Sequence, residues 1–193
     1  MSAHLGPASW EGDRFEGFPF SGYITDRYGT WGDTRKALGL GPHIGLDVAA
    51  EVGTPIRSPG HGVIKGSGLG HADGSISALG YYTIVDYGNV GMLFAHLREP
   101  TSLPDGSRVR RGDLLGHVGM TGLTTGPHCH IMASKKKLPN GWFDFSRASD
   151  AAVNPLDVLS SSSSLFLPEP AWKGTTLTTL TRNVAKSDLK FVP

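Results

Sequence analysis

Residues 81–97 read Y-Y-T-I-V-D-Y-G-N-V-G-M-L-F-A-H-L. Residues 81–87 are aromatic and β-branched, which favours a pleated, half-buried strand. Gly88-Asn89 is a turn signal, and residues 91–97 form a second apolar run, so the stretch predicts an antiparallel hairpin. The same alternation of short strands and glycine turns runs outward on both sides. Residues 18–29 read as an extended segment closing in a glycine turn, and residues 53–68 as two short strands broken by Pro-Gly-His-Gly. Further strands are expected at residues 113–119 and 128–134. Strands this short and frequent predict a mostly β fold, a compact antiparallel sheet domain with few short helices. One helix is expected at residues 155–159, with Asn154 as its N-cap and Pro155 as its first helical residue.

Composition agrees with that reading and narrows the function classes. The 193-residue chain has 27 glycines and 13 prolines, a turn-rich balance. Its 18 basic and 17 acidic residues leave a net charge of +1, so no strong attraction to nucleic acid or an anionic membrane is expected. No apolar run reaches the roughly 18 residues of a membrane-spanning helix. The single cysteine, Cys129, rules out an intrachain disulfide and a multi-cysteine metal site. The first residues lack a basic start followed by an apolar stretch, so no secretory signal peptide is expected. Three segments follow: a polar lead-in at 1–17, one domain at 18–159, and a C-terminal extension at 160–193 that opens with five serines, a flexible hinge by composition.

The chemistry lies in the histidines. In G-P-H-I-G-L-D-V-A-A, residues 41–50, His43 stands four residues before Asp47, and both side chains are good zinc ligands. The intervening glycine and the preceding proline indicate a loop leading into a strand rather than a helix. In T-G-P-H-C-H-I-M, residues 125–132, His128 and His130 are two apart. On a strand both point to one side while Cys129 points to the other, as a buried small hydrophobe. In L-F-A-H-L, residues 93–97, His96 interrupts an apolar strand. A catalytic zinc site takes three protein ligands and leaves a fourth position open. His43, Asp47 and one of the paired histidines supply three; the other two histidines are then free to bond the water, take its proton and stabilise an oxyanion.

These motifs, in this order, resemble the lysostaphin-type, LytM-like zinc endopeptidases, which cut peptide bonds in bacterial cell-wall peptidoglycan. The resemblance runs from about residue 22 to residue 159. It includes H-I-G-L-D followed by G-T-P-I, then L-F-A-H-L, R-G-D-L-L-G, T-G-L-T-T-G-P-H-C-H and a closing V-N-P. It implies His43, Asp47 and His130 as ligands of Zn2+, with His96 and His128 as catalytic residues beside the water, in a groove flanked by loops. It also implies peptidoglycan as the macromolecular partner, and action outside the cytoplasm. With no signal peptide seen, a phage-borne enzyme is expected, carried in the virion or released at lysis, and residues 160–193 are a candidate docking arm for other virion proteins. Two other readings stand beside it: a virion structural or binding component with a degenerate peptidase domain, and a metalloprotease acting on proteins in general. Tyr28, Trp31 and Arg35 are candidates for one groove wall. His61 is expected to be exposed, His71 exposed and inert, and His117 structural.

Overall fold

The computed structural model describes residues 18–37, 39–69, 78–146 and 150–159. His71, the lead-in and the extension after residue 159 lie outside them. Along the described chain run β1 (Tyr23–Asp26), α1 (Asp33–Ala37), β2 (Leu46–Ala49), β3 (Pro55–Arg57), β4 (Gly62–Leu69), β5 (Tyr81–Asp86) and β6 (Gly91–Leu97). There follow β7 (Arg108–Val109), β8 (Leu114–His117), β9 (His128–Ser134), β10 (Ala152–Val153) and α2 (Pro155–Val158). Seven strands lie side by side in the order β1-β2-β9-β6-β5-β4-β7, with β10 also on β9, while β3 and β8 form a separate pair. Every pairing is antiparallel, so the expected mostly β architecture is the one observed.

The hairpin read from residues 81–97 is β5–β6. Gly88 has φ +88° at the first central position of a two-residue turn, where L side chains are strained. The Tyr87 amide donates to Val90 O at 2.9 Å, and Asp86 Oδ1 accepts from the Gly88 amide at 2.7 Å. The helix at the end of the domain forms as expected: Asn154 Oδ1 accepts from the Leu156 amide at 3.1 Å, capping α2 behind Pro155. No helix was expected at α1, which is five residues long and too short for an apolar period.

The main sheet has two unlike faces. One carries Val48, Phe94, Cys129 and Ile131, fully or nearly fully buried together with Ile56 of β3, Leu115 of β8, and Val158 and Leu159 at α2. The β3–β8 pair and α2 therefore close this face into the main core. The other face carries a smaller cluster of Ile84, Leu93, Ala95, Met132, Phe143 and Phe145. Beside that cluster, on the same face, the polar side chains gather. Burial on one side fixes the register, because a one-residue slip would turn the whole polar set into the core.

Candidate metal centre and catalytic cleft

Strands β2, β9 and β6 are neighbours, and between them they present four of the five predicted site residues. Asp47 is paired with His130, Ala49 with His128, and Ala95 with His130. Since side chains alternate along a strand, Val48 and Cys129 turn to the main core while Asp47, His128 and His130 share the opposite face. His43 arrives from the loop before β2. That loop is pinned to the β1–α1 connection: the His43 amide donates to Thr30 O and the Gly29 amide to His43 O, both at 2.8 Å. Gly45 lies between His43 and β2, and a Cβ there would stand 2.5 Å from His130 Cε1 and 2.6 Å from Ile131 O. Glycine is thus required where the loop passes over the His130 ring.

Three donor atoms converge. His43 Nε2 lies 3.0 Å from His130 Nδ1 and 3.2 Å from Asp47 Oδ1, and His130 Nδ1 lies 2.7 Å from Asp47 Oδ1. Ligands at about 2.0–2.1 Å around a tetrahedral zinc are themselves about 3.3 Å apart. This His-Asp-His set is the group of metal-ligating side chains found together among the described residues, and it fits such an ion in donor type and spacing. His43 is oriented from behind. His43 Nδ1 donates to Arg27 O at 3.1 Å and faces Asp26 Oδ2 at 3.3 Å, which leaves Nε2 unprotonated toward the centre. Asp26 in turn meets Arg35 at 3.5 Å. Burial pushes the Asp47 carboxyl up, but hydrogen bonds from His130 and His43 and the nearby imidazoles outweigh it and hold the group well below the usual carboxylate range. Burial lowers the pKa of His130, against the pull of Asp47, and favours its neutral, ligating form.

His96 reaches this face by a break in the strand. Tyr81 pairs with Leu97 and Thr83 with Phe94, so Ala95 and His96 together oppose one residue of β5, a β-bulge. Among the described residues, His96 is the non-glycine with positive φ, at +59°. Strict alternation from Phe94 would send His96 into the main core; the bulge re-aims it to the opposite face, and Leu97 returns to the core. Such a left-handed backbone costs about 1–3 kcal/mol and is kept where surroundings over-determine it. The His96 and His128 rings then stand 4.6 Å apart, with His96 and His130 at 6.0 Å.

Carbonyl oxygens only accept, so they identify the tautomers. His96 Nδ1 donates to Thr121 O at 2.8 Å, and His128 Nδ1 to Gly126 O at 2.9 Å. Both rings therefore carry their proton on Nδ1 and a lone pair on Nε2. His128 Nε2 lies 3.7 Å from Asp47 Oδ1. Burial, reinforced by His128 and His130, takes the His96 pKa down to about 3. His96 is accordingly a neutral hydrogen-bonding group near pH 7.

The five residues line one cleft of about 440 Å³, with Asp26, Arg35 and Leu40 on one wall and Leu79, Leu123 and Thr124 on the other. Of the three aromatic or basic wall candidates, Arg35 is in place. Tyr28 and Trp31 are drawn away, the Tyr28 hydroxyl donating to Ala152 O at 2.9 Å and the Trp31 indole to Leu40 O at 3.1 Å. His117 pairs with Glu99 at 2.5 Å, far along β8. His61 is partly buried rather than exposed, because the turn ahead of it folds inward: Ser58 Oγ donates to Gly60 O at 2.8 Å and lies 2.9 Å from Tyr87 Oη. Sequence reasoning missed Asp26, Gly45, Thr121 and Thr124, whose roles depend on contacts across the sheet; Gly45, Thr121 and Thr124 lay inside motifs read for their histidines, and Asp26 in none of these.

Comparison with known proteins identifies the family. The chain is 38% identical over 117 residues to the DD-carboxypeptidase/endopeptidase Mpg of Neisseria meningitidis, covering 60% of this chain and 22% of that one. It is 34% identical over 92 residues to the peptidoglycan DD-endopeptidase ShyA of Vibrio cholerae, covering 47% of this chain and 20% of that one. The matched stretch thus spans about a fifth of these curated relatives. Among solved structures, the catalytic domain of the prophage-encoded M23 protein EnpA from Enterococcus faecalis superposes with a TM-score of 0.52 at 26% identity, covering 79% of this chain and 96% of that one. Residues 41–141, more than half of the chain and inclusive of all five site residues, match peptidase family M23. The chain belongs to that family, a family of zinc metallopeptidases.

Proposed function

We propose that this protein is a zinc-dependent endopeptidase that hydrolyses peptide bonds in bacterial peptidoglycan. The observation that carries the reading is the convergence of His43, Asp47 and His130 donor atoms beside two imidazoles whose Nε2 lone pairs are free. The name of ShyA, a peptidoglycan DD-endopeptidase, supports the substrate class. His43 Nε2, Asp47 Oδ1 and His130 Nδ1 would hold the zinc, which when bound supplies Lewis acidity and a nucleophile at neutral pH.

The chain's own residues divide the remaining work. His128, less buried than His96, takes the proton of the attacking water on Nε2 and returns it to the leaving amine. His96, whose low pKa makes it a poor proton carrier, accepts a hydrogen bond on Nε2 and holds the water in line. While it holds that proton, before the amine takes it, His128 donates to the developing oxyanion. The test is bound metal by elemental analysis, paired with turbidity loss of purified peptidoglycan, with and without chelator, and casein as control. About one zinc per chain and chelator-sensitive clearing of wall but not casein are expected; cleavage of casein alone would overturn the substrate class.

The likeness to a prophage-encoded protein supports a phage-borne role, with the enzyme carried in the virion or released at lysis, and residues 160–193 docking on other virion proteins. Immunoblots of purified particles and of lysates decide it: detection in neither contradicts the phage reading.

A further inference from the structure

The bulge that aims His96 needs something to hold it, and one residue bonds both of its strands and the His96 ring. Thr121 Oγ1 donates to Leu97 O at 2.7 Å, on the strand that bulges, and accepts from the Tyr81 amide at 3.0 Å, on the strand opposite. Its carbonyl accepts from the His96 ring at 2.8 Å. The fit is close enough to exclude a side chain at Gly80, where a Cβ would lie 2.3 Å from Thr121 Oγ1. Gly80 itself has φ +59°, and the next strand bond, from the His96 amide to Leu79 O at 2.8 Å, closes the bulge from the other end.

We propose that Thr121 is a positioning residue for His96. Its hydroxyl clips β5 to β6 at the bulge, and this fixes the carbonyl that keeps the His96 proton on Nδ1 and the Nε2 lone pair toward the cleft. The same loop ends on His128: Gly119 bridges to His128, and Gly126 O and Thr124 Oγ1 meet His128 Nδ1 at 2.9 and 3.0 Å. One loop therefore sets the tautomer of both non-ligand histidines, and Thr121 is its anchor at the His96 end. A hydrogen bond from one ring nitrogen to a fixed carbonyl governs which nitrogen works. The proposal rests on the reading above that His96 acts beside the metal.

The experiment compares the zinc-loaded full chain with Thr121→Val, which keeps the shape and removes the hydroxyl, and Thr121→Ser, which keeps the hydroxyl. Readouts are kcat and KM on purified peptidoglycan fragments, zinc content, and the side-chain 15N signals of His96, which report the tautomer. Thr121→Val is expected to lower kcat by roughly 10- to 100-fold, the scale of a small misplacement of a catalytic group. KM and zinc content should hold, and the His96 signals should move from the Nδ1–H pattern to a mixture. Thr121→Ser should restore both kcat and pattern. An unchanged His96 pattern in Thr121→Val, or a Thr121→Ser variant as defective as Thr121→Val, overturns the proposal. Should Thr121→Val not fold, the wild-type spectrum decides: His96 protonated on Nε2 contradicts the assignment outright. A protein that cleaves no wall yet shows the tautomer shift overturns the proposed function and leaves Thr121 as the anchor of His96.

Discussion

Asp47 and His130 face each other as a directly paired couple across β2 and β9, with Asp47 Oδ1 2.7 Å from His130 Nδ1. The sheet register alone brings them together, so the centre is built on rigid strands rather than on loops. Asp47 also meets His43 at 3.2 Å. Asp47→Ala therefore removes a proposed ligand and the group that orients the other two. Loss of an outer partner costs about 10- to 100-fold in metal affinity, and loss of Asp47 should cost more. A zinc competition titration measures it; affinity within a few-fold of wild type would exclude Asp47 from the centre.

Gly45→Ala tests the close passage over His130. The added methyl meets the His130 ring and the Ile131 carbonyl, both at less than 3 Å, so backbone or ring must shift. Overpacking of this sort costs about 1–3 kcal/mol, and here the displaced group is a proposed metal ligand. Thermal denaturation should show the loss, and zinc affinity should fall with it. A variant that melts lower but binds zinc normally would place the strain elsewhere.

Stability of the metal-free protein should fall with acid through His96. Its pKa is about 3 when folded against 6.5 as the unperturbed value, so below pH 6.5 the unfolded chain binds a proton that the folded chain refuses. Stability is full above 6.5 and is lost as pH falls toward 3, at up to about 1.4 kcal/mol per pH unit. Asp47, held low when folded, acts in the same direction but only below its ordinary value of 3.8. Urea denaturation in chelator at pH 7 and pH 5 should show the slope, and His96→Asn, which tolerates the left-handed backbone, should reduce it. An identical slope in His96→Asn would assign the effect to other groups.

Cys129 is fully buried between two histidines in sequence but on the opposite side of the sheet. Burial raises its thiol pKa, so the thiolate is scarce and inaccessible. The folded protein should resist alkylation at pH 8 over times that label the urea-unfolded chain completely, as mass spectrometry can show. Rapid native labelling with loss of zinc would place the thiol in the metal centre.

How far the sequence could be read depended on which forces were local. The β5–β6 hairpin was legible because its turn residues and apolar alternation lie within 17 consecutive positions, residues 81–97. The common face of His128 and His130 followed from the two-residue period of a strand. The grouping of His43 and Asp47 with that pair followed from ligand type rather than spacing, and the resemblance singled out His130; their meeting depends on β2 lying against β9, a pairing of residues about 80 apart. The aim of His96 was less legible still. Alternation alone places it in the core, and the bulge that redirects it depends on Thr121, 25 positions away. Tyr28 and Trp31 were drawn from the cleft by backbone carbonyls at Ala152 and Leu40, partners no local pattern reveals.

The most direct test of the central claim is release of new amino groups from purified peptidoglycan by the zinc-loaded wild-type chain and by zinc-loaded His128→Ala. His128 lies outside the donor triangle yet 3.7 Å from Asp47. Its loss should leave about one zinc per chain while amino-group release falls by roughly 100- to 10,000-fold, the scale of general acid–base catalysis. Wild-type rates in His128→Ala with its zinc intact, or no release from any wall by the wild-type enzyme, would contradict the account.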